Sequence, residues 1–193
     1  MPVTATRERI VESADTLFYE TGFEATSFAD IAATVGISRG NFYHHFKSKD
    51  DLLCAVIDLR KERTRAMLDE WEKTNEDPFD RILCFANILM TNRAKIMAFG
   101  CPVGTLCAEL SKLEHAARAQ ASEIFGLFRD WLEHQFRALG ARDAALPLAV
   151  RILAWSQGVA MMATAFGDEA FIREEISSIR TWLKEHPDIP STA

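Results

Sequence analysis

The sequence is poor in the residues that build metal centres, covalent frameworks and flexible linkers. Its 193 residues include only four cysteines and six prolines. The cysteines stand at irregular spacing (54, 84, 101 and 107) and match no zinc-ligand pattern, so no metal and no cofactor is expected. No stretch is rich enough in Pro, Ser or Gly to act as a loose linker, so two domains of this chain should share a helix. There is no β-like alternation and no internal repeat. Residues 1–9 lack the apolar run of a signal peptide. The longest uncharged stretch, Ile152 to Gly167, is too short for a membrane span and contains Ser156, Gln157 and Gly158. The expectation is a cytoplasmic protein without membrane contact, where a disulfide framework is not expected. An excess of positive charge is missing too: 22 basic against 28 acidic residues give a net charge of −6, the wrong sign for a protein that coats nucleic acid.

What is present is concentrated near the N-terminus. Ser38 is placed to cap a short helix, and Phe42 and Phe46, four apart, share the face that must enter a core. Arg39, Gly40, Asn41, Tyr43 and His44 remain on or beside the exposed side. Arg and Asn can bond base edges, while Tyr, His and Lys can bond phosphate oxygens, so this turn has the chemistry of a nucleic-acid reader. Upstream, Ser27 caps a helix with Phe28, Ile31, Ala32 and Val35 at helical spacing, Asp30 completes a variant capping box, and Gly36 supplies the turn. Ile10, Ala14, Leu17 and Phe18 mark an earlier helix that Gly22 ends. Three helices with one apolar interior make a helix-turn-helix domain of about fifty residues. Residues 36–49 carry +3 against −9 for the rest of the chain, a local basic footprint suited to site-specific binding.

The run from Thr6 to Leu53 resembles the N-terminal domain of the TetR family of bacterial transcriptional regulators. The resemblance rests on Ile10–Phe18, Gly22-Phe23, Thr26–Ala32, Gly36–Phe46 and Ser48–Leu52, with the Tyr-x-His-Phe-x-x-Lys element the most specific part. It implies that Arg39 and Asn41 read bases, and that Tyr43, His45 and Lys49 hold phosphates, with Thr26 and Ser27 adding contacts at a helix N-terminus. His44 faces outward toward a base or a phosphate, and the alternative for His44 and His45 alike is a solvated or core-packed ring; Lys47 reads as an ordinary solvated lysine.

After Lys49 the chain reads as helix throughout, which makes the fold class all-α. Residues 1–50 form the DNA-binding domain, and residues 51–193 a helical effector-binding and dimerisation domain. Leu53, Ile57, Thr64, Met67, Leu68 and Trp71 stripe a long helix capped by Ser48, and Asn75–Pro78 breaks it. Ile82, Phe85, Leu89 and Ile96 stripe the next. A short segment, Pro102 to Leu110, precedes a long helix carrying Leu113, Ala117, Ala121, Ile124, Phe128, Leu132 and Phe136. Leu146 to Phe166 mixes large and small apolar residues, and a last helix places Ile172, Ile176, Ile179, Trp182 and Leu183 inward. TetR-family proteins dimerise through such a C-terminal pair. Trp155, Gly158, Met162, Ile176, Ile179 and Trp182 are therefore the candidate dimer interface; the alternative is that this hairpin is plain core.

The middle helices are the candidate effector cavity, with Phe85, Leu89, Asn92, Phe99, Cys101, Leu106, Phe125 and Phe128 as candidate lining. Residues at such spacing are also ordinary core, and Asn92 either faces a ligand or caps a carbonyl. The segment Gly100–Leu110 resembles one branch of the family that includes sensors of electrophiles or oxidants. Cys101, just before Pro102, would stand at a helix N-terminus that favours thiolate, or be a buried inert thiol.

The resulting expectation is a homodimeric repressor, without catalytic residues, that binds a palindromic double-stranded operator. A small-molecule effector or thiol modification would release it. An enzyme built on Cys101 or Cys107 with His115 has no supporting motif, and an architectural DNA binder sits poorly with a charge of −6.

Overall fold

A computed structural model describes residues 3–186 and residue 189. The described residues form α-helices and one short 3-10 turn, with no strand. In order the helices are α1 (Val3–Glu20), α2 (Phe28–Val35), α3 (Arg39–His45), α4 (Lys49–Thr74) and α5 (Pro78–Thr91), then α6 (Arg93–Phe99), α7 (Pro102–Lys112), α8 (Arg118–Ala138), α9 (Ala145–Phe166) and α10 (Glu169–Glu185). The chain divides into two compact units. The first comprises the chain up to Arg63 together with Pro102–Ile124; the second comprises Thr64–Cys101 and the chain from Phe125 onward.

In the first unit, local chemistry accounts for the helix ends. Ser27 and Asp30 form a full capping box at α2, with the Ser27 backbone N–H donating to the Asp30 carboxylate at 2.9 Å. These hydrogen bonds hold the Asp30 carboxyl below its ordinary range. Gly36 ends α2 at φ 73°, where a Cβ would strain the turn. Ser38 then caps α3, accepting from the Asn41 N–H at 3.2 Å. Ile10, Ala14, Phe18, Ile31, Val35, Phe42 and Phe46 are all buried, so α1, α2 and α3 share one interior as the apolar spacing requires. α4 starts at the Ser48 cap, which accepts from Asp51 N–H at 3.0 Å, and its 26 residues span about 39 Å.

The second unit packs α5, α6, α9 and α10 around Leu89, Ile96, Val159, Ala160, Ala163, Ile172 and Ile176. Asp77 caps α5 and Pro78 occupies its first turn. Gly167, left-handed at φ 65°, and the Asp168 cap make the α9–α10 corner. Arg142–Phe166, which contains α9, is long and apolar enough to cross a membrane by length and composition, and 39% of its apolar window is buried inside the protein.

Two elements differ from the sequence expectation. The stripe from Ile82 to Ile96 is not one helix: α5 stops at Asn92, which has φ −104° and ψ 14°, and α6 restarts at Arg93. The helix expected from Leu113 begins only at Arg118. Glu114 takes φ 50°, and the His115 N–H closes back on Leu110 O at 2.9 Å, so residues 113–117 form a turn.

Candidate nucleic-acid interface

α3 buries one face and spends almost nothing of the other. Phe42 is 1% exposed and packs on Phe28, with ring centroids 4.6 Å apart. That anchor leaves Arg39, Gly40, Asn41, Tyr43 and His44 exposed, with Tyr43 at 54%. The Tyr43 ring leans edge-on against Phe28 at 5.7 Å, a packing contact that orients a residue otherwise open to solvent. No described residue accepts from the Arg39 guanidinium or bonds the Asn41 amide. His45 is half-buried at the helix C-terminus, where a cation complements the dipole.

Lys49 stands just past α3 and is already oriented. Its Nζ donates to Glu24 O at 3.0 Å and lies 4.5 Å from the Phe23 ring centroid. An ammonium has three donors, so this leaves donors available to a phosphate.

Thr26 and Ser27 are placed differently from the sequence expectation. Thr26 is 2% exposed, and its hydroxyl donates to Gly22 O at 2.6 Å and meets the Thr21 hydroxyl at 2.8 Å. It is an internal strut of the α1–α2 turn, because that turn leaves carbonyls that need a donor. Ser27 is exposed, but its hydroxyl is bonded to Asp30 at 2.6 Å, so the α2 N-terminus already has a carboxylate within the chain.

The candidate effector residues fall in both units. Phe85 and Phe128 meet with ring centroids 5.4 Å apart, and Leu89 belongs to the α5–α6–α9–α10 core. Phe99 and Phe125 are half-buried in the second unit, and Leu106 is buried in the first. Asn92 is exposed, and its amide donates to Ile88 O at 3.1 Å, so it caps α5. Cys101, half-buried against the second unit's core, directly precedes α7. None of the four cysteines is disulfide-bonded.

The sequence reading missed a polar layer nearby. Gln135, fully buried, donates to Glu72 Oε1 at 3.0 Å and accepts from Arg81 at 3.3 Å. One turn earlier, Trp131 packs 5.6 Å from Trp71, and its buried indole N–H has no acceptor within the described residues. Gln135 carried a signal, since a glutamine one residue before the buried Phe136 must have partners.

The candidate dimer residues divide as well. Gly158 and Met162 are exposed on α9. Trp155 donates to Glu175 at 3.0 Å, and Trp182 lies under the Arg151 guanidinium at 4.7 Å. Ile176 and Ile179 are instead buried in the chain's own core, because the stripe they share with Ile172 and Leu183 is the only apolar face α10 has. The outward apolar row lies on α9, where Leu146, Val150, Ala154, Gly158, Met162 and Phe166 recur every fourth residue and are all exposed.

The rival catalytic pair is spoken for on one side. His115 Nδ1 accepts from the Ala117 N–H at 3.0 Å, and Nε2 faces Asp50 Oδ1 at 3.3 Å.

Comparison with known proteins agrees with this geometry. Residues 10–56 match the family described as bacterial regulatory proteins, tetR family, and residues 82–175 match the C-terminal domain of LmrA/YxaF-like transcriptional regulators. The HTH-type transcriptional regulator Rv0196 of Mycobacterium tuberculosis is 30% identical over 164 residues, which is 81% of this chain and 83% of the relative. The HTH-type transcriptional repressor DhaR of a Mycobacterium species is 28% identical over 135 residues, 69% of this chain and 65% of that protein. Among solved structures, a TetR transcriptional regulator from Legionella pneumophila superposes with a TM-score of 0.81 at 27% identity, covering 90% of this chain and 95% of that one.

Proposed function

The chain belongs to the tetR family of bacterial regulatory proteins, and from that premise we propose a cytoplasmic repressor that binds a palindromic operator as a homodimer and releases it when an effector is bound. It is a DNA-binding transcriptional regulator and not an enzyme. In this reading residues 1–50 read DNA, and residues 51–193 hold the effector and pair the two copies. The observation that carries it is the outer face of α3, where Arg39, Asn41, Tyr43 and His44 are exposed around a fully anchored Phe42. A related protein carries the name of repressor, which favours repression over activation. The two α3 helices of a dimer would enter successive major grooves about 34–36 Å apart. A nuclease footprint on the DNA flanking the chain's own gene tests this. A bounded, two-lobed footprint is expected; no protection, or a diffuse one, would reject it.

The effector half of the reading is supported by the Trp131 indole N–H, a buried donor with no acceptor among the described residues. Such groups bond an ordered water or a ligand oxygen, and here the Trp71 ring packs alongside. An effector would act by shifting α4, with a coupling of about 1–3 kcal/mol.

Thiol modification is the second route to release. Burial pushes the Cys54 thiol up, with Asp58, Asp50 and Asp51 adding to the shift, and burial likewise raises Cys84. Both should react slowly. Brief iodoacetamide treatment followed by peptide mass mapping is expected to label Cys101 first and to weaken operator binding, with the Cys101→Ser protein insensitive. Labelling of Cys54 or Cys84 ahead of Cys101 would end the thiol route.

A further inference from the structure

We propose that Glu109, on α7, is a positioning residue for DNA binding: it fixes the α1–α2 turn and, through that turn, the Lys49 ammonium. This rests on the reading of Lys49 as a phosphate contact. Glu109 lies far along the chain from the helix-turn-helix, yet its two carboxylate oxygens take adjacent backbone donors there. Oε2 accepts from the Phe23 N–H at 2.9 Å, and Oε1 accepts from the Glu24 N–H at 2.9 Å. Hydrogen bonds to an ionised acceptor are stronger than neutral ones, and two from one carboxylate fix direction as well as distance. The close approach needs Gly22, whose φ is +96° and where an added Cβ would lie 3.2 Å from Glu109 Oε1.

The two residues that Glu109 grips are the same two that hold Lys49. Phe23 presents its ring face to the ammonium at 4.5 Å, and Glu24 accepts from it through its carbonyl at 3.0 Å. His115 braces the same ring edge-on at 5.3 Å and faces Asp50, the residue after Lys49, at 3.3 Å. α7 is itself held at its first residue, where Arg60 NH1 donates to Pro102 O at 2.7 Å while its Nε pairs with Asp15 at 2.6 Å. Glu109 therefore projects from an anchored helix. A long lysine side chain normally gives up much rotamer freedom when it reaches a phosphate. With the turn fixed, most of that ordering is done before DNA arrives.

The experiment is a salt series of binding to two duplexes, the footprinted sequence and a scrambled one. It uses the wild-type chain, Lys49→Ala, Glu109→Ala and the double variant, each checked for folding by circular dichroism. One lost phosphate contact reduces the affinity ratio between about 50 and 200 mM salt by about 3.5-fold. The expected result is that Glu109→Ala shows most of that loss on both duplexes, and that it adds nothing further in the Lys49→Ala background. Should Glu109→Ala fold poorly, Glu109→Gln keeps the volume and one acceptor, and should show a partial loss that also vanishes without Lys49. An unchanged salt response in a folded Glu109 variant, or a loss that adds to that of Lys49→Ala, overturns the proposal. If Lys49→Ala alone leaves the salt response unchanged, the phosphate reading fails, and the proposal falls with it for that separate reason.

Discussion

Gly158→Glu is expected to turn a dimer into a folded monomer and to weaken operator binding by about two to four orders of magnitude, the range lost when two linked contacts become one. Gly158 is exposed on α9, and a Cβ built there meets nothing within 4 Å. The substitution therefore has no clash to make inside its own chain. Replacing a helix-interior glycine should even favour α9 by about 0.5 kcal/mol or more. The cost arises only against a second copy. Gly158 sits in the middle of the row Leu146, Val150, Ala154, Met162 and Phe166, with Met161 at 63% and Phe166 at 75% exposure. An apolar row of that length with no charge in it is unusual on a monomer. Seating a glutamate in it without a partner costs more than a dimer of this kind can absorb. Sedimentation velocity gives the mass, and thermal melting shows whether the monomer is intact. A variant that sediments as a stable dimer would move the interface off α9.

How far the sequence reveals this protein depends on how local the determining physics is. The Ser27–Asp30 capping box, the left-handed Gly36, the Ser38 cap and the inward Phe42 and Phe46 are all settled within four residues of themselves. Each was legible. Breaks made without Gly or Pro were not. Asn92 stops α5 with an ordinary side chain that bonds its own helix, and Glu114 adopts a left-handed conformation that glutamate rarely takes. Apolar periodicity runs straight through both positions, so it joins helices that the backbone separates.

Side-chain direction was legible only where no distant group competes. Thr26 follows a turn in a position that suggests a helix N-terminus, but the carbonyls of Leu17 and Gly22 draw its hydroxyl inward. The sequence assigns Ile176 and Ile179 to the dimer interface with plain core as the alternative, and the lack of any other apolar face on α10 sends them to the core. Glu109 shows the limit most clearly. Nothing around it in sequence marks it apart from any helix-surface glutamate, and its two partners lie 86 and 85 residues away.

Arg39→Ala and Lys49→Ala are expected to fail in different ways on the same DNA. Arg39 is exposed on the first turn of α3, and no described residue accepts from its guanidinium, so its five donors are available to a guanine edge. Its removal should cost about 1–3 kcal/mol on the operator and far less on a scrambled duplex, with preference relaxed at one base pair in each half-site. The chain should stay folded, because the α3 anchor is Phe42, and the Ser38 cap bonds Asn41 rather than Arg39. Lys49 is set apart by its geometry, held by Glu24 O and the Phe23 ring beyond the C-terminal end of α3, away from the turn that carries Arg39 and Asn41. In the proposed reading a cation placed there holds backbone phosphate, so Lys49→Ala should weaken both duplexes about equally and reduce the salt slope by about one unit. Paired titrations on a panel of single-base operator variants separate the two. If Arg39→Ala weakens every duplex alike, or if Lys49→Ala alters the preferred base at any position, the assignment of base reading to α3 and phosphate holding to the start of α4 is wrong.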